Sequence, residues 1–328
     1  MNVVERIKKT QHKHEIALLI MIVAISLFIS IFNRSFFSLQ NLFDILKSSG
    51  MLAVMAIGVT LVMISGGIDV SFPAIAAVAM HVTVTTMNNQ QGSLLIAFLM
   101  ASAIGIGLGA MNAIFVSLFK LPTLIVTLAT SNIYFGILLE SVERTHISVI
   151  PNFFNQFGRG FLFTMSSDGA APVGLSFIAA VTIVLFVLFW LFMRYTSIGR
   201  NIYAIGGSKE AAQRAGISVW KTQLIVYILA GFLAGSSSML SVALIGYVNP
   251  FNVNAVTMDV IAAVVLGGVS LTGGKGSVFG ALLGIILLFI IRNSLVILGV
   301  PSTWDSIIVG AVVIISIALA AKATRSRK

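Results

Sequence analysis

Long apolar stretches separated by short polar segments dominate the pattern of the chain. A helix needs about 20 apolar residues to cross the hydrocarbon core of a bilayer. Since peptide groups in lipid must be hydrogen-bonded internally, such stretches form helices or closed barrels, and the alternating pattern of barrel strands is missing. The pattern predicts spans at about 16–32, 46–65, 71–87, 94–118, 121–139, 174–193, 221–246, 257–270, 277–298 and 305–321.

Basic residues at both ends of the chain set the predicted orientation. Four precede the first span and four follow the last, so the positive-inside rule places both termini in the cytoplasm. The number of crossings is then even, and we count ten. With this orientation, 15 of the 20 Lys and Arg residues are cytoplasmic. The net charge of +10 thus reflects membrane topology rather than a nucleic-acid partner.

The expected fold class is all-α, a single transmembrane domain over residues 1–328, embedded in membrane lipid. Residues 140–173 form an external loop, either a docking surface for an outside partner or a passive connector. Residues 194–220 form a patterned cytoplasmic loop. The basic start followed by an apolar run also resembles a signal peptide, but the run is long and no small-residue cleavage pattern follows it. His12 and His14 are expected in the solvated basic arm before the first span.

A faint repeat links the two halves of the chain. Residues 58–74 contain Gly-Val-Thr-Leu, then Gly-Gly, then Ser-Phe-Pro-Ala, and residues 268–281 contain Gly-Val-Ser-Leu, then Gly-Gly, then Ser-Val-Phe-Gly-Ala. Paired glycine-interrupted spans in two halves indicate a translocation pathway. Close helix packing is the alternative, because glycine also serves that purpose in membranes.

A short capped helix is predicted in the cytoplasmic loop. Ser208 is a suitable N-cap, Glu210 lies in the first turn and Gly216 suits the position after the C-cap. Such a helix is unstable alone and must dock, either on its own membrane helices or in a cleft of another protein. Gly206 and Gly207 would act as hinges before it.

Few polar residues interrupt the spans, and these are candidates for contact with a solute. Thr123, Thr127, Thr130, Ser131 and Tyr134 share one face of the fifth span. They either meet a polyol ligand or bond neighbouring helices. Asp69 and Asp259 are expected near span ends, within reach of water. Arg292 lies deeper, where a charge faces a cavity or a partner, or snorkels to the interface.

Several chemistries are not supported by the sequence. Lys275 lies in a glycine-rich run without the spacing of a phosphate-binding loop, so no ATP site is predicted. The four histidines lack metal-ligand spacing, and with no cysteine there is no thiolate site. We expect no cofactor, no metal and no enzymatic activity in this chain.

Three motifs together resemble ribose-type permeases of ATP-binding-cassette (ABC) importers. The first is Gly-Arg-Asn-Ile-Tyr-Ala-Ile-Gly-Gly at 199–207, followed by Glu-Ala-Ala at 210–212 and by Gly216. The second is Asp-Val-Ile-Ala-Ala-Val-Val-Leu-Gly-Gly at 259–268, which continues to Ser277. The third is Gly-Gly-Ile-Asp-Val-Ser at 66–71. The resemblance runs from about residue 50 to the C-terminus.

The resemblance implies partners as well as a function. It implies a multi-pass protein of a bacterial inner (plasma) membrane, paired with a second permease chain as a homodimer or heterodimer. It also implies a cytoplasmic ATPase that binds ATP and Mg, and an extracytoplasmic solute-binding protein. Family members carry monosaccharides or the furanosyl signal autoinducer-2. A stand-alone secondary transporter or facilitator remains the alternative. The scarcity of buried charges argues against proton or sodium coupling, although a uniporter would not need such charges.

Two sets of site residues follow, of which the ATPase-coupling set is implied by the resemblance. The predicted ATPase-coupling residues are Gly199, Arg200, Gly206, Gly207, Glu210, Ala211, Ala212 and Gly216. The predicted translocation-pathway residues are Thr60, Asp69, Ser71, Asn112, Thr127, Thr130, Ser131, Tyr134, Asp259, Arg292 and Asn293.

Overall fold

The computed structural model describes residues 3–89, 92–141, 147–165 and 172–304, with 307, 308, 310, 311 and 314 beyond them. In chain order the helices are α1 (Val3–Phe32), α2 (Leu39–Ile64), α3 (Phe72–Asn89), α4 (Leu94–Leu118), α5 (Thr123–Ser141), α6 (Asn152–Arg159), α7 (Phe177–Tyr195), α8 (Ser197–Gly207), α9 (Lys209–Arg214), α10 (Val219–Ile245), α11 (Pro250–Asn254), α12 (Thr257–Leu266) and α13 (Val278–Ile297). Two strands, β1 (Phe161–Thr164) and β2 (Gly174–Ser176), lie between α6 and α7, and short 3₁₀ helices span Arg34–Phe37 and Ser302–Trp304.

The helical membrane fold predicted from the sequence is confirmed. Within the described residues, seven helices are long and apolar enough to cross a bilayer, namely α1 from His14 onward, α2, α4, α5, α7, α10 and α13. Two shorter apolar segments, α3 and α11–α12, match two further predicted spans. The tenth predicted span, 305–321, lies mostly outside the described residues, so the count of ten and the cytoplasmic position of the termini stay predictions.

Two helices form the centre of the bundle. In the most apolar windows of α2 and α10, 83% and 72% of the residues are buried, against 17–28% in α1, α4, α5 and α7. The four peripheral helices expose rows of large apolar side chains, which suits a lipid environment where an outward apolar face costs nothing. The chain is therefore arranged around α2 and α10, with lipid-facing helices outside.

Glycines bring α4 and α10 into backbone contact. Both helices carry a Gly-x-x-x-Gly motif, Gly105 with Gly109 and Gly231 with Gly235. A β-carbon on Gly105 would overlap the Gly231 carbonyl group, and one on Gly235 would overlap the Ala101 carbonyl. The hydroxyl groups of Ser102 and Ser236 form a hydrogen bond of 2.9 Å across the same interface. Small residues permit this approach, which maximises van der Waals contact in lipid.

The segment predicted as an external loop is more structured than expected. Strands β1 and β2 pair antiparallel, so the all-α expectation misses a small two-stranded sheet. Helix α6 packs on α10 through Gly158, and the Phe157 ring stacks on Phe177 with centroids 5.9 Å apart. Ile147 forms an isolated bridge to Val248. Residues 142–146 and 166–171 of this segment lie outside the described residues.

Candidate functional site

Two non-helical segments interrupt the bundle where the sequence repeat predicts them. Segment 65–71, here called break A, joins α2 to α3, and segment 267–277, called break B, joins α12 to α13. Gly66 has a φ of +84° and Gly273 one of +86°, a left-handed conformation that glycine adopts without steric cost. The two breaks meet, because the Gly274 N–H donates to the Ile64 carbonyl oxygen at 2.9 Å.

Asp69 lies in break A and is buried, with 3% of its surface exposed. Our expectation that it reaches water is wrong. Its Oδ1 atom accepts hydrogen bonds from the Ser71 N–H at 2.7 Å and from the Ser71 hydroxyl at 2.6 Å. This turn immediately precedes α3, where the unpaired N–H groups and the helix dipole favour a negative charge. Asp69 therefore holds the start of α3 in place.

Asn112 extends this polar cluster onto α4. Its Nδ2 donates to the Ser71 hydroxyl at 2.7 Å, and its Oδ1 accepts from the Tyr134 hydroxyl of α5 at 3.1 Å. Tyr134 also reaches the Leu108 carbonyl oxygen at 3.1 Å. Ser71, Asn112 and Tyr134 are all buried, so the chain Asp69–Ser71–Asn112–Tyr134 is a protected hydrogen-bond network that joins α3, α4 and α5.

The hydroxyl face of α5 binds the backbone of break A. Thr123 Oγ1 accepts from the Ile68 N–H at 3.0 Å. Thr127 Oγ1 accepts from the Val70 N–H at 3.3 Å and donates to the Ile68 carbonyl at 3.2 Å. These threonines satisfy peptide groups that a broken helix leaves unpaired, as lipid requires. Thr123 and Thr127 therefore bond a neighbouring segment of the protein, which was the second of the two interpretations of the hydroxyl face of α5.

The other predicted pathway residues do not join the network. Thr60 is buried and bonds the Ala56 carbonyl within α2 at 2.6 Å. Thr130 is buried and lies 3.4 Å from the Thr127 carbonyl oxygen, whereas Ser131 is half-buried. The side-chain oxygen of Asn293 is buried and has no hydrogen-bond partner among the described residues. The structure therefore brings together five of the eleven residues.

Asp259 and Arg292 form a second, separate polar group. An Arg292 amino group lies 2.7 Å from Asp259 Oδ2, and each side chain is 27% exposed. The pair joins the start of α12 to the end of α13. Arg292 thus finds a partner, as a charge within a span requires. The sequence suggested both residues but gave no sign that they pair.

The predicted coupling helix forms as α9, with both expected caps. Ser208 Oγ accepts from the Ala211 N–H at 3.1 Å. At the other end Gly216, with a φ of +81°, donates its N–H to Gln213 at 2.9 Å, and Ile217 donates to Ala212 at 3.0 Å. These two bonds define a Schellman motif. Ala212 is the buried residue of α9, so Glu210, Ala211 and the rest of its surface are exposed.

The prediction that Gly206 and Gly207 act as a hinge is wrong. Gly206 and Gly207 are the last residues of a regular helix, and Gly206 is buried while Gly207 is exposed. Gly199 is buried against the Met193 backbone, where a β-carbon would overlap the carbonyl oxygen. Arg200 is exposed and lies 3.4 Å from the Tyr195 carbonyl oxygen. Gly199 and Gly206 therefore serve close contact rather than bending.

Glu210 has a lowered pKa although it is fully exposed. The main cause is a hydrogen bond from its own backbone N–H, followed by the Ser208 hydroxyl at 2.9 Å from Oε2. Both bonds favour the ionised carboxylate. The surface of α9 therefore presents a negative charge in its first turn and Arg214 in its last.

Break B has contacts that sequence reasoning missed. His14 Nε2 lies 3.0 Å from the Leu266 carbonyl oxygen, so His14 is not part of a solvated arm. The Ser277 hydroxyl donates to Glu15, and the Tyr203 hydroxyl of α8 donates to the Gly276 carbonyl at 2.8 Å. No sequence signal marks these pairs, since their partners are 73 to 262 residues apart.

A helical bundle with seven described helices able to cross a bilayer, two broken segments and an exposed capped helix defines a polytopic membrane protein. The family model described as "Branched-chain amino acid transport system / permease component" matches residues 41–317. The chain belongs to this permease family.

Curated relatives match nearly the whole chain. The ribose import permease protein RbsC of Escherichia coli (strain K12) is 32% identical over 311 residues, covering 94% of this chain and 92% of that protein. RbsC of Bacillus subtilis (strain 168) is 32% identical and covers 89% and 88%. The autoinducer 2 import system permease protein LsrC of Photorhabdus luminescens is 30% identical and covers 94% and 90%.

Proposed function

We propose that this permease takes up a small sugar or sugar-like solute and is driven by a separate cytoplasmic ATPase. The observation that carries the proposal is the similarity, over 94% of the chain, to permeases named for ribose and autoinducer-2 import. Both named solutes are small and rich in hydroxyl groups. ATP and Mg would bind to the partner ATPase, and this chain would supply the pathway and the coupling surface.

The coupling surface is proposed to be α9 with the adjoining end of α8. Its exposed first-turn carboxylate and last-turn guanidinium, Glu210 and Arg214, suit a polar cleft of a cytoplasmic protein. Both caps preorganise the helix, which lowers the entropy lost on docking. With α9 in the cytoplasm, both termini would also be cytoplasmic. The α6–β2 segment would then lie outside, facing the solute-binding protein.

A second permease chain is proposed to complete the pathway. Helix α5 turns Thr127 and Tyr134 inward and exposes Asn132 among apolar side chains. An amide facing lipid is unfavourable, so this outer face of α5 suits a paired chain or the solute.

Reconstitution with the cognate ATPase and binding protein tests the coupling role. Gly216→Ala forces a β-carbon into a left-handed conformation, at a cost of about 1–2 kcal/mol. Gly299→Ala is the matched control, because Gly299 follows α13 with a similar left-handed φ of +72° and a β-carbon there meets no atom within 4 Å. We expect Gly216→Ala, and Glu210→Lys by charge reversal, to reduce transport and ATPase association, with Gly299→Ala unchanged. Normal transport and normal coupled hydrolysis in both variants would contradict the assignment.

The same preparation distinguishes the secondary transporter. Uptake by the purified chain in liposomes without ATP would favour a facilitator and exclude dependence on a partner. Uptake that requires ATP, the ATPase and the binding protein supports the importer. Solute binding by the cognate binding protein then identifies the sugar.

A further inference from the structure

We infer that break B is the element through which α8 passes ATPase-driven movement to the polar network, and that Tyr203 and Gly206 are its positioning residues. This inference rests on the proposed function, because it concerns how the coupling surface acts on the membrane interior. It goes beyond α9, since neither break B nor Tyr203 touches the exposed surface of that helix in the contacts described above.

The first contact is a close approach of three backbone segments, with no side chain between them. Gly206, at the end of α8, packs against Ile64 at the end of α2 and against Gly274 of break B. A β-carbon on Gly206 would overlap the Ile64 carbonyl oxygen and lie 2.6 Å from the Gly274 nitrogen. One on Gly273 would lie 2.6 Å from the Gly66 Cα. The end of α8, break A and break B therefore meet at one point.

The second contact is a hydrogen bond. Tyr203, one turn before Gly206, donates its hydroxyl to the Gly276 carbonyl at 2.8 Å. Burial, with the nearby Glu15 charge, raises the pKa of Tyr203 to about 12, so the hydroxyl stays protonated well above physiological pH. Gly276 has a φ of +126° and the Gly274 N–H is bonded to Ile64. Break B is thus tied to α8 and to α2 within three residues.

Helix α1 holds both ends of break B. His14 contacts the Leu266 carbonyl just before the break, and Glu15 accepts from Ser277, the last residue of the break. A β-carbon on Gly268 would meet the His14 ring at 2.9 Å from Nε2. Because both ends of the segment are anchored, a push from α8 displaces the segment as a unit rather than unravelling it.

The route from the junction to the polar network is short. Gly66 is three residues from Asp69, and the intervening peptide groups are held by Thr123 and Thr127 of α5. Asp69 then bonds Ser71, which accepts from Asn112. Packed backbones without intervening side chains leave little room for independent sliding. Movement of α8 is expected to shift break A, α3 and the network together.

Tyr203→Phe tests the inference, with Tyr195→Phe as the matched control. Phenylalanine keeps the ring of Tyr203 and removes only the bond to Gly276. Tyr195 lies at the end of α7, and 63% of its surface is exposed. The assay measures solute transported per ATP hydrolysed by the reconstituted complex. We expect Tyr203→Phe to assemble with the ATPase and hydrolyse ATP, with at least a threefold lower ratio, whereas Tyr195→Phe keeps the wild-type ratio.

Three outcomes would overturn the inference. They are an unchanged ratio in Tyr203→Phe, an equal fall in Tyr195→Phe, and a failure of Tyr203→Phe to fold, since the tyrosine would then be a structural residue. Wild-type complex that shows no ATP-dependent uptake would instead overturn the proposed function itself. If transport and ATP hydrolysis fall in proportion in Tyr203→Phe, the solute transported per ATP is unchanged, and this outcome also contradicts the inference.

Discussion

Replacing Gly105 by alanine is expected to destabilise the protein relative to the same replacement at Gly107. Both glycines lie on α4, two residues apart. A β-carbon on Gly105 would overlap the Gly231 carbonyl oxygen and lie 2.9 Å from its carbon and 3.1 Å from the Gly235 nitrogen. One on Gly107 meets no atom within 4 Å. The two variants therefore differ in the contact that the new methyl group makes.

The expected magnitude follows from that difference. Alanine is favoured over glycine within a helix by about 1 kcal/mol, and this gain is common to both variants. Overpacking of a well-packed interface by one methyl group costs about 1–3 kcal/mol. The free energies of unfolding should thus differ by about 1–3 kcal/mol, with Gly105→Ala the less stable. The obstacle is backbone, which cannot rotate away as a side chain can.

A functional consequence is expected as well. Relief of the overlap requires α4 and α10 to separate by roughly 1.4 Å, since the β-carbon would lie 2.1 Å from the Gly231 carbonyl oxygen and non-bonded heavy atoms remain about 3.5 Å apart. Asn112 lies two helical turns beyond Gly105 on the same side of α4, and its bond to Ser71 is 2.7 Å. A shift of that size would weaken the bond, so transport should fall in Gly105→Ala and persist in Gly107→Ala.

The assay is equilibrium unfolding of the purified chain in mixed micelles with increasing sodium dodecyl sulfate, followed by circular dichroism. Equal midpoints for the two variants would refute the packing of α4 against α10, because the common helix-propensity term cancels between them. A lower midpoint for Gly107→Ala than for Gly105→Ala would refute this packing more directly.

Three further predictions use the same preparation. Thr127→Val should cost about 1–3 kcal/mol because it leaves two backbone groups of break A unpaired, whereas Ser131→Ala should change little, and equal unfolding free energies would contradict this. A double-mutant cycle of Asp259→Asn and Arg292→Gln should give a coupling energy of about 1–3 kcal/mol, and additive effects would exclude a working pair. Carboxyl NMR should place the pKa of Glu210 below its ordinary value of 4.5. The stabilisation of α9 by the Glu210 carboxylate is then present above pH 4.5 and is lost as the pH falls through the lowered pKa. A measured pKa at or above 4.5 would be inconsistent with the cap.

Local chemistry explains which predictions succeeded. The spans follow from runs of apolar residues, and α9 follows from Ser208 at its N-cap and Gly216 after its end. Each needs only neighbours in sequence. The two breaks were found for the same reason, since doubled glycines within apolar runs mark interrupted helices. The sequence also selected Asp69, Ser71 and Asn112, but as translocation-pathway residues, and that role stays a prediction.

Tertiary structure alone decided how these pieces meet. Asp69 is buried because α4 and α5 cover break A, and no local signal distinguishes this from a solvated span end. The pairing of Asp259 with Arg292 joins residues 33 apart, and Tyr203 meets Gly276 across 73 residues. Glycine permits both bending and close contact, so only the packing of Gly206 on α2 shows which use applies. Hydrophobic periodicity fixes the length and face of each helix, whereas the partner of each polar group depends on how the helices pack together.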